Sequence, residues 1–319
     1  MNPDGRDVVE LAAVPALGPL YARGVARSAR SMAGRGTVRG TDLPAVQLMV
    51  RGVDPDADHL TAYQQLVGET VADALPAGFL HVLAFPVATA VMTRPGFPLP
   101  LLGMVHLANR VQQRRQVLLG ETLDIRVHAA ALRAHRKGAT VDLVAEVSIG
   151  GTVVWHSEST YLAKGARLAG SDDAAGSGTE DGAGSADAAG ERSPFEPPTP
   201  TAAWRLGADV GRRYAAVSGD RNPIHTSTLA AKAFGFPRRI AHGMYTAARA
   251  LADVGPAARG EAFVWEVEFA RPVLLPSTVA VRVAPDAEAP AGPAGHGLAL
   301  WSPHTGAAHL TGSVRPLVS

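Results

Sequence analysis

Val111-Gln-Gln-Arg-Arg-Gln-Val-Leu-Leu-Gly-Glu-Thr-Leu-Asp-Ile-Arg-Val127 aligns without gaps on Val267-Glu-Phe-Ala-Arg-Pro-Val-Leu-Leu-Pro-Ser-Thr-Val-Ala-Val-Arg-Val283, and eight of the seventeen positions are identical. Chance is a poor explanation for such a match, and an internal duplication follows. Upstream, Tyr63-Gln-Gln-Leu-Val-Gly-Glu69 echoes Tyr214-Ala-Ala-Val-Ser-Gly-Asp220. Each echo precedes a mostly apolar run, at 81–92 and 242–252, whose lack of a polar face predicts a buried helix. Pro86 within the first run predicts a kink or a break. Short extended stretches near 46–50 and 202–205 open the two copies, and alternating or apolar runs after the helices predict antiparallel strands. The class is α+β, two repeats of a sheet wrapped around one helix.

The copies differ between their anchors. Tyr63 to His81 spans 18 residues and Tyr214 to His242 spans 28, so with His81 set against His242 the second copy carries ten extra residues. The extra residues fall where the second copy carries Asn222-Pro-Ile-His225 and the segment through Arg238 and Arg239, so that Asp220, Asn222, Pro223 and His225 crowd into six residues. A carboxylate and an imidazole this close can hold and activate one water molecule, the imidazole titrating near neutral pH. Pro223 fixes its own φ and pushes Asn222 toward extended geometry, which stiffens the turn. The same polar residues also suit a plain cap for the following helix. The first copy keeps Gly68 and Glu69 but has no histidine in its turn, so it reads as catalytically degenerate.

The run from Tyr214 through Gly219, Asp220, Asn222, Pro223 and His225 to Ala231 resembles the signature of the MaoC-like (R)-specific enoyl-CoA hydratases, or hydratase 2. Leu80-His-Val-Leu-Ala-Phe-Pro86, Leu102-Gly-Met-Val-His-Leu-Ala-Asn109 and Val154-Trp-His-Ser-Glu-Ser-Thr-Tyr-Leu162 are similar to the N-terminal half of actinobacterial 3-hydroxyacyl-thioester dehydratases. The resemblance implies a double hotdog fold. It also implies catalytic roles for Asp220 and His225, and makes the Gly243 amide the donor to the thioester oxygen; Asn222 is counted with the catalytic residues, either acting directly or holding the turn by a hydrogen bond near Asp220. Val82, set against Gly243 by that alignment, would crowd the same approach in the first copy. Arg238 and Arg239, just before the second helix, are candidates for coenzyme A phosphates. His242 reads as packing beside the site.

Residues 165–200 hold seven acidic residues against Arg167 and Arg192, with Gly, Ala, Ser and finally Pro197, Pro198 and Pro200 making up much of the rest. This composition predicts a flexible linker. The expected domains are an N-terminal extension (1–40), a degenerate hotdog (41–164), the linker (165–200) and a catalytic hotdog (201–319). The linker's −5 leaves about +6 on the remainder of a chain with net charge +1. A mildly basic body suits a polyanionic small ligand, and the scattered cations lack the dense stripe of a nucleic-acid binder. With no cysteine, disulfides and thiolate chemistry are excluded, in keeping with a cytoplasmic setting. No apolar run reaches membrane-span length.

These readings converge on an enzyme that hydrates trans-2-enoyl thioesters, or dehydrates (R)-3-hydroxyacyl thioesters, on coenzyme A or an acyl carrier protein. No metal and no cofactor are expected, and the chain is a monomeric pseudo-dimer or a homodimer. The alternatives are a hotdog acyl-thioester hydrolase and a non-catalytic acyl-CoA-binding subunit.

Overall fold

The computed structural model describes residues 5–24, 37–38, 43–101, 103–168, 195–286 and 295–317. Most of the expected linker lies outside the described residues. The strands are β1 (Asp7–Leu11), β2 (Thr37–Val38), β3 (Val46–Val53), β4 (Met104–Gln113), β5 (Leu123–His135), β6 (Gly138–Ile149), β7 (Thr152–Lys164), β8 (Arg167–Leu168), β9 (Ala202–Leu206), β10 (Phe263–Phe269), β11 (Ser277–Pro285), β12 (His296–Trp301) and β13 (Ala308–Pro316). They belong to two compact units that interleave the sequence halves. One takes Met1–Pro55, Leu80–His106 and Gly120–Asp181; the other takes Asp56–Phe79, Leu107–Leu119 and Gly182–Ser319.

In the first unit β3, β5, β6 and β7 form antiparallel neighbours, and β1 adds in parallel to β3. The N-terminal extension thus contributes an edge strand that its sequence did not announce. Leu123, Ile125, Val127 and Ala129 alternate inward along β5, the period-two signal that marks a sheet with one buried face. The helix Ala77–Thr93 contributes Leu80 onward to this unit, and none of its residues is exposed. It runs unbroken through Pro86, where a kink or break was expected. The lost backbone donor is one bond among many contacts, and packing outweighs local propensity here.

In the second unit the order is β4 (from Leu107), β10, β13, β12, β11, β9, antiparallel throughout. The helix Gly243–Val254 packs on β11 and β13 and buries Met244, Ala247, Ala248 and Leu251. Each unit therefore has one long helix and its own antiparallel strands, and the fold is the double hotdog.

Backbone hydrogen bonds correct the equivalence of the two copies. Ala74 bridges Leu118 as Ile240 bridges Leu274. Leu75 N–H donates to Val117 O at 2.8 Å, and Ala241 N–H donates to Val273 O at 2.8 Å. The helices then begin at Ala77 and Gly243. His242 therefore matches Pro76 rather than His81, and Gly243 matches Ala77 rather than Val82. The insertion in the second copy is fifteen residues, the difference between 14 from Tyr63 to Ala77 and 29 from Tyr214 to Gly243, not ten. Alignment on histidines misled because the first copy's His81 sits in the second turn of a helix that starts earlier.

The pairing of β4 with β10 sets Arg110 opposite Glu266. Extending the 111/267 repeat by one residue makes those two positions equivalents of each other, so the strand pair crosses at a self-matched site. Arg110 Nε and Glu266 Oε1 form an ion pair at 2.9 Å. Both side chains are nearly half exposed, which limits the pair to about 0.2–1 kcal/mol.

A second ion pair is of another kind. The helix Ala57–Val67 ends at Gly68, as Val210–Ser218 ends at Gly219, so Glu69 occupies the place of Asp220. Both carboxylate oxygens of Glu69 are taken by Arg259, at 3.0 and 3.2 Å, with side-chain exposures of only 5 % and 11 %. Removing one partner of such a pair strands a buried charge. Arg259→Ala is expected to lower unfolding stability by about 3–5 kcal/mol. Urea denaturation checks this, with the double variant Glu69→Leu/Arg259→Met regaining most of the loss.

Candidate active site

The site residues lie in the second unit, on the segment that distinguishes the two copies. The helix Val210–Ser218 closes on Gly219 in the left-handed region (φ 72°), whose N–H donates to Ala215 O at 3.1 Å. Ser218 Oγ donates to Tyr214 O at 2.8 Å and accepts from Asp220 N–H at 3.2 Å, so the chain leaves the helix in a set direction. Asp220 Oδ1 then accepts from Asn222 N–H at 3.1 Å. Asn222 is the N-cap of the short turn Pro223–Thr226, its Oδ1 accepting from Ile224 N–H at 3.4 Å, with Pro223 at the first helical position. Asn222 thus caps the short turn through its side chain while its own N–H is held by Asp220.

His225 is buried and its tautomer is settled by its partner. Nδ1 lies 2.9 Å from the carbonyl oxygen of Ile240. A carbonyl only accepts, so Nδ1 carries the proton and Nε2 keeps a lone pair. Burial pushes the His225 pKa below its ordinary value, against the pull of Asp220 and of the Ile240 carbonyl. His242 stacks on it with ring centroids 3.7 Å apart and planes 26° apart. Its Nε2 donates to Asp220 O at 3.0 Å and stands 3.8 Å from Asp220 Oδ2. Burial first, and then His225, lowers the His242 pKa to about 3, so this ring is neutral at working pH. Tyr214 and Tyr245 complete the wall, Tyr214 lying 4.9 Å from the His242 ring and 5.8 Å from Tyr245.

Ligand atoms of Asp220, His225 and His242 all lie within 4.8 Å of one another. One water, at about 2.8 Å from each of two partners, spans such a gap. This is also a donor set that a divalent cation could take.

Gly243 opens the central helix. His242, its N-cap, makes no side-chain capping bond, which leaves first-turn amides pointing outward with the helix dipole behind them. A Cβ at 243 would stand 2.9–3.1 Å from ring atoms of Phe269, so the glycine is required by packing as well. Arg238 is exposed and donates to Pro276 O at 3.5 Å. Arg239 is half-buried, and its carbonyl accepts from Leu275 N–H at 2.8 Å. The insertion therefore brings Asp220, Asn222, His225 and the start of the central helix together, while Arg238 and Arg239 sit on its return limb.

Three contributors escaped the sequence reading. The Ile240 carbonyl fixes the histidine tautomer, and a backbone acceptor leaves no trace in residue type. The His242 ring stacks on His225 instead of packing beside the site. Gly211 lets the turn at His225 approach, since a Cβ there would collide with the His225 carbonyl oxygen. Its place three residues before Tyr214, inside a helix, was the available signal.

Residues 186–288 match the MaoC like domain. Over 280 residues the chain is 36% identical to 3-hydroxyacyl-thioester dehydratase X of Mycobacterium tuberculosis, spanning 88% of this chain and 92% of that one. It is 40% identical over 73 residues to a 3-hydroxybutyryl-CoA dehydratase of Methylorubrum extorquens, a stretch covering 22% of this chain and 46% of that protein. The crystal structure of HtdX of Mycobacterium tuberculosis superposes with a TM-score of 0.70 at 35% identity, covering 85% of this chain and all of that one (100%). A MaoC-like dehydratase of Phytophthora capsici shares the fold, with a TM-score of 0.63 at 18% identity over 85% of this chain and 95% of that one. The chain belongs to the MaoC-like dehydratase family.

Two outcomes follow from this geometry. Gly243→Ala forces Phe269 aside and is expected to cost about 1–3 kcal/mol of stability. Adding Phe269→Leu should recover the stability, measured by denaturant unfolding, but not the turnover. The two buried imidazoles have folded pKa values below the 6.5 of an unfolded histidine. Protons therefore favour the unfolded chain below that value. The urea midpoint is expected to be level from about pH 8 to 6.5 and to fall as pH drops further, with His242→Gln showing a shallower fall.

Proposed function

We propose that this chain catalyses the reversible hydration of trans-2-enoyl thioesters to (R)-3-hydroxyacyl thioesters, using Asp220 and His225 in the second copy. The observation that carries this reading is a buried His225, its Nδ1 held by the Ile240 carbonyl, in one cluster with Asp220 whose ligand atoms lie within 4.8 Å of one another, a gap that a shared water can span. In the hydration direction the water oxygen bonds to C3 while one of its protons passes to Nε2. The C2=C3 π electrons move toward the thioester carbonyl, and a proton returned by the Asp–His pair completes C2. The sum is H and OH added across the double bond. Dehydration runs through the same atoms in reverse. Each assisted proton transfer contributes about 10²–10⁴-fold.

Negative charge gathers on the thioester oxygen as C3 is attacked, and we assign the Gly243 amide, at the start of the central helix, as its donor. A preorganised donor of this type is worth about 10²–10³ in rate. The first copy differs at each of these places. Glu69 is bound on both oxygens by Arg259, no histidine lies between it and the start of the helix at Ala77, and Ala77 stands where the second copy has Gly243. We therefore assign catalysis to residues 201–319 alone. The acyl group travels on coenzyme A or an acyl carrier protein, with Arg238 and Arg239 as candidates for the carrier's phosphates. The names of the relatives, dehydratases of 3-hydroxyacyl thioesters and of 3-hydroxybutyryl-CoA, support this substrate class.

The test follows loss of enoyl absorbance with crotonyl-CoA and with a longer trans-2-enoyl-CoA, assigns the product's configuration, and monitors free thiol. Turnover to the (R)-alcohol without thiol release is expected. Asp220→Asn and His225→Ala should each lower kcat by about 10²-fold or more. Thiol release from a saturated acyl-CoA would instead make the protein a hydrolase.

A further inference from the structure

His242 lies outside the signature, yet it touches both members of the pair. Its ring covers one face of His225 at 3.7 Å, and its Nε2–H holds the backbone carbonyl of Asp220 at 3.0 Å. The residue is 3 % exposed and its Nδ1, buried, has no hydrogen-bond partner. A buried polar atom left without a partner costs stability, so packing alone is a poor reason to keep an imidazole here. A phenyl ring would stack equally well without that cost. What a phenyl ring lacks is the donor to Asp220.

We propose, building on the reading of Asp220 and His225 as the catalytic pair, that His242 is a positioning residue that locks the two in one frame. The stack sets the plane of His225 while Ile240 O sets its tautomer. The Nε2–H bond holds the turn at the Asp220 carbonyl, beside the Ser218 Oγ bond to the Asp220 N–H. Because the same residue is the N-cap of the central helix, the frame also includes the Gly243 amide one residue on. His242 stays uncharged, so it adds no like-charge penalty when His225 accepts its proton. The first copy gives independent support: where the histidine of the pair is absent, the place of His242 is taken by Pro76, which offers neither a ring nitrogen nor a donor.

Two variants separate the contributions, with unfolding midpoints measured first to establish that each folds. His242→Phe keeps the stacked ring and loses the donor; His242→Gln keeps an N–H near the Nε2 position and loses the ring. With a trans-2-enoyl-CoA, His242→Phe should lower kcat about tenfold to a hundredfold while KM stays within about twofold, as a misplaced catalytic group would. His242→Gln should recover much of that loss. In ¹⁵N spectra of the intact wild-type chain, His242 should remain neutral with its proton on Nε2 from about pH 5 to 8. A His242→Phe enzyme with wild-type kcat, equal losses in Phe and Gln variants, or titration of His242 within that range would overturn the proposal. Failure of the underlying catalytic reading looks different, because Asp220→Asn or His225→Ala would then keep the wild-type rate whatever stands at 242.

Discussion

The segment that carries Asp220 and His225 depends on two hydrogen bonds at the backbone of Ile240. Its carbonyl accepts from His225 Nδ1 and its N–H donates to Ile224 O, while its flanking residues bond to the 273–275 segment. The fifteen-residue excursion is thereby closed at its base and tied to the segment that follows β10. That tie adds to the His242 stack and the His242 bond to the Asp220 carbonyl in holding the turn in place. The bond to the Ile240 carbonyl also decides the protonation of His225, so tertiary position and acid–base state share one cause.

Desolvation does the rest of the electrostatic tuning. Stacked burial lowers the basicity of both imidazoles, and in each it is the largest influence. A base whose pKa is lowered stays unprotonated at neutral pH and gives its proton back readily, which suits a reaction that must run in either direction. The cost is carried in stability at low pH. Buried neutral imidazoles are among the groups that unfold a protein when acid charges them.

Much of this was legible in the sequence because it rests on local patterns. The duplicated strands, the apolar helices and the Asp-x-Asn-Pro-x-His turn each fall within a short window, and each formed close to where the spacing placed it, the first helix beginning one turn early at Ala77. Reading weakened where the determinant was a long-range contact. The run through Pro86 stayed helical because its surroundings are apolar throughout. The equivalence of the copies slipped because a histidine was used as an anchor when backbone bonds, invisible in the chain, set the register. His242 was underestimated because a ring stack between residues seventeen apart leaves no periodic trace. The β1 strand escaped because it pairs with a distant partner and carries Asp7 and Glu10 among its five residues.

Arg110 and Glu266 stand on opposite sides of a site that matches itself. In an assembly of two identical polypeptides, such a position confronts every residue with its own copy, and a charge there must repel itself. Joining the copies in one chain lifts that restriction. Each side of the axis can then drift independently, and a repulsion becomes an attraction after one change of sign. The same freedom lets one copy carry the Asp220–His225 turn while the other ties its Glu69 into a buried ion pair. Covalent fusion, in this sense, supplies evolution with asymmetry at the one place where symmetry forbids it.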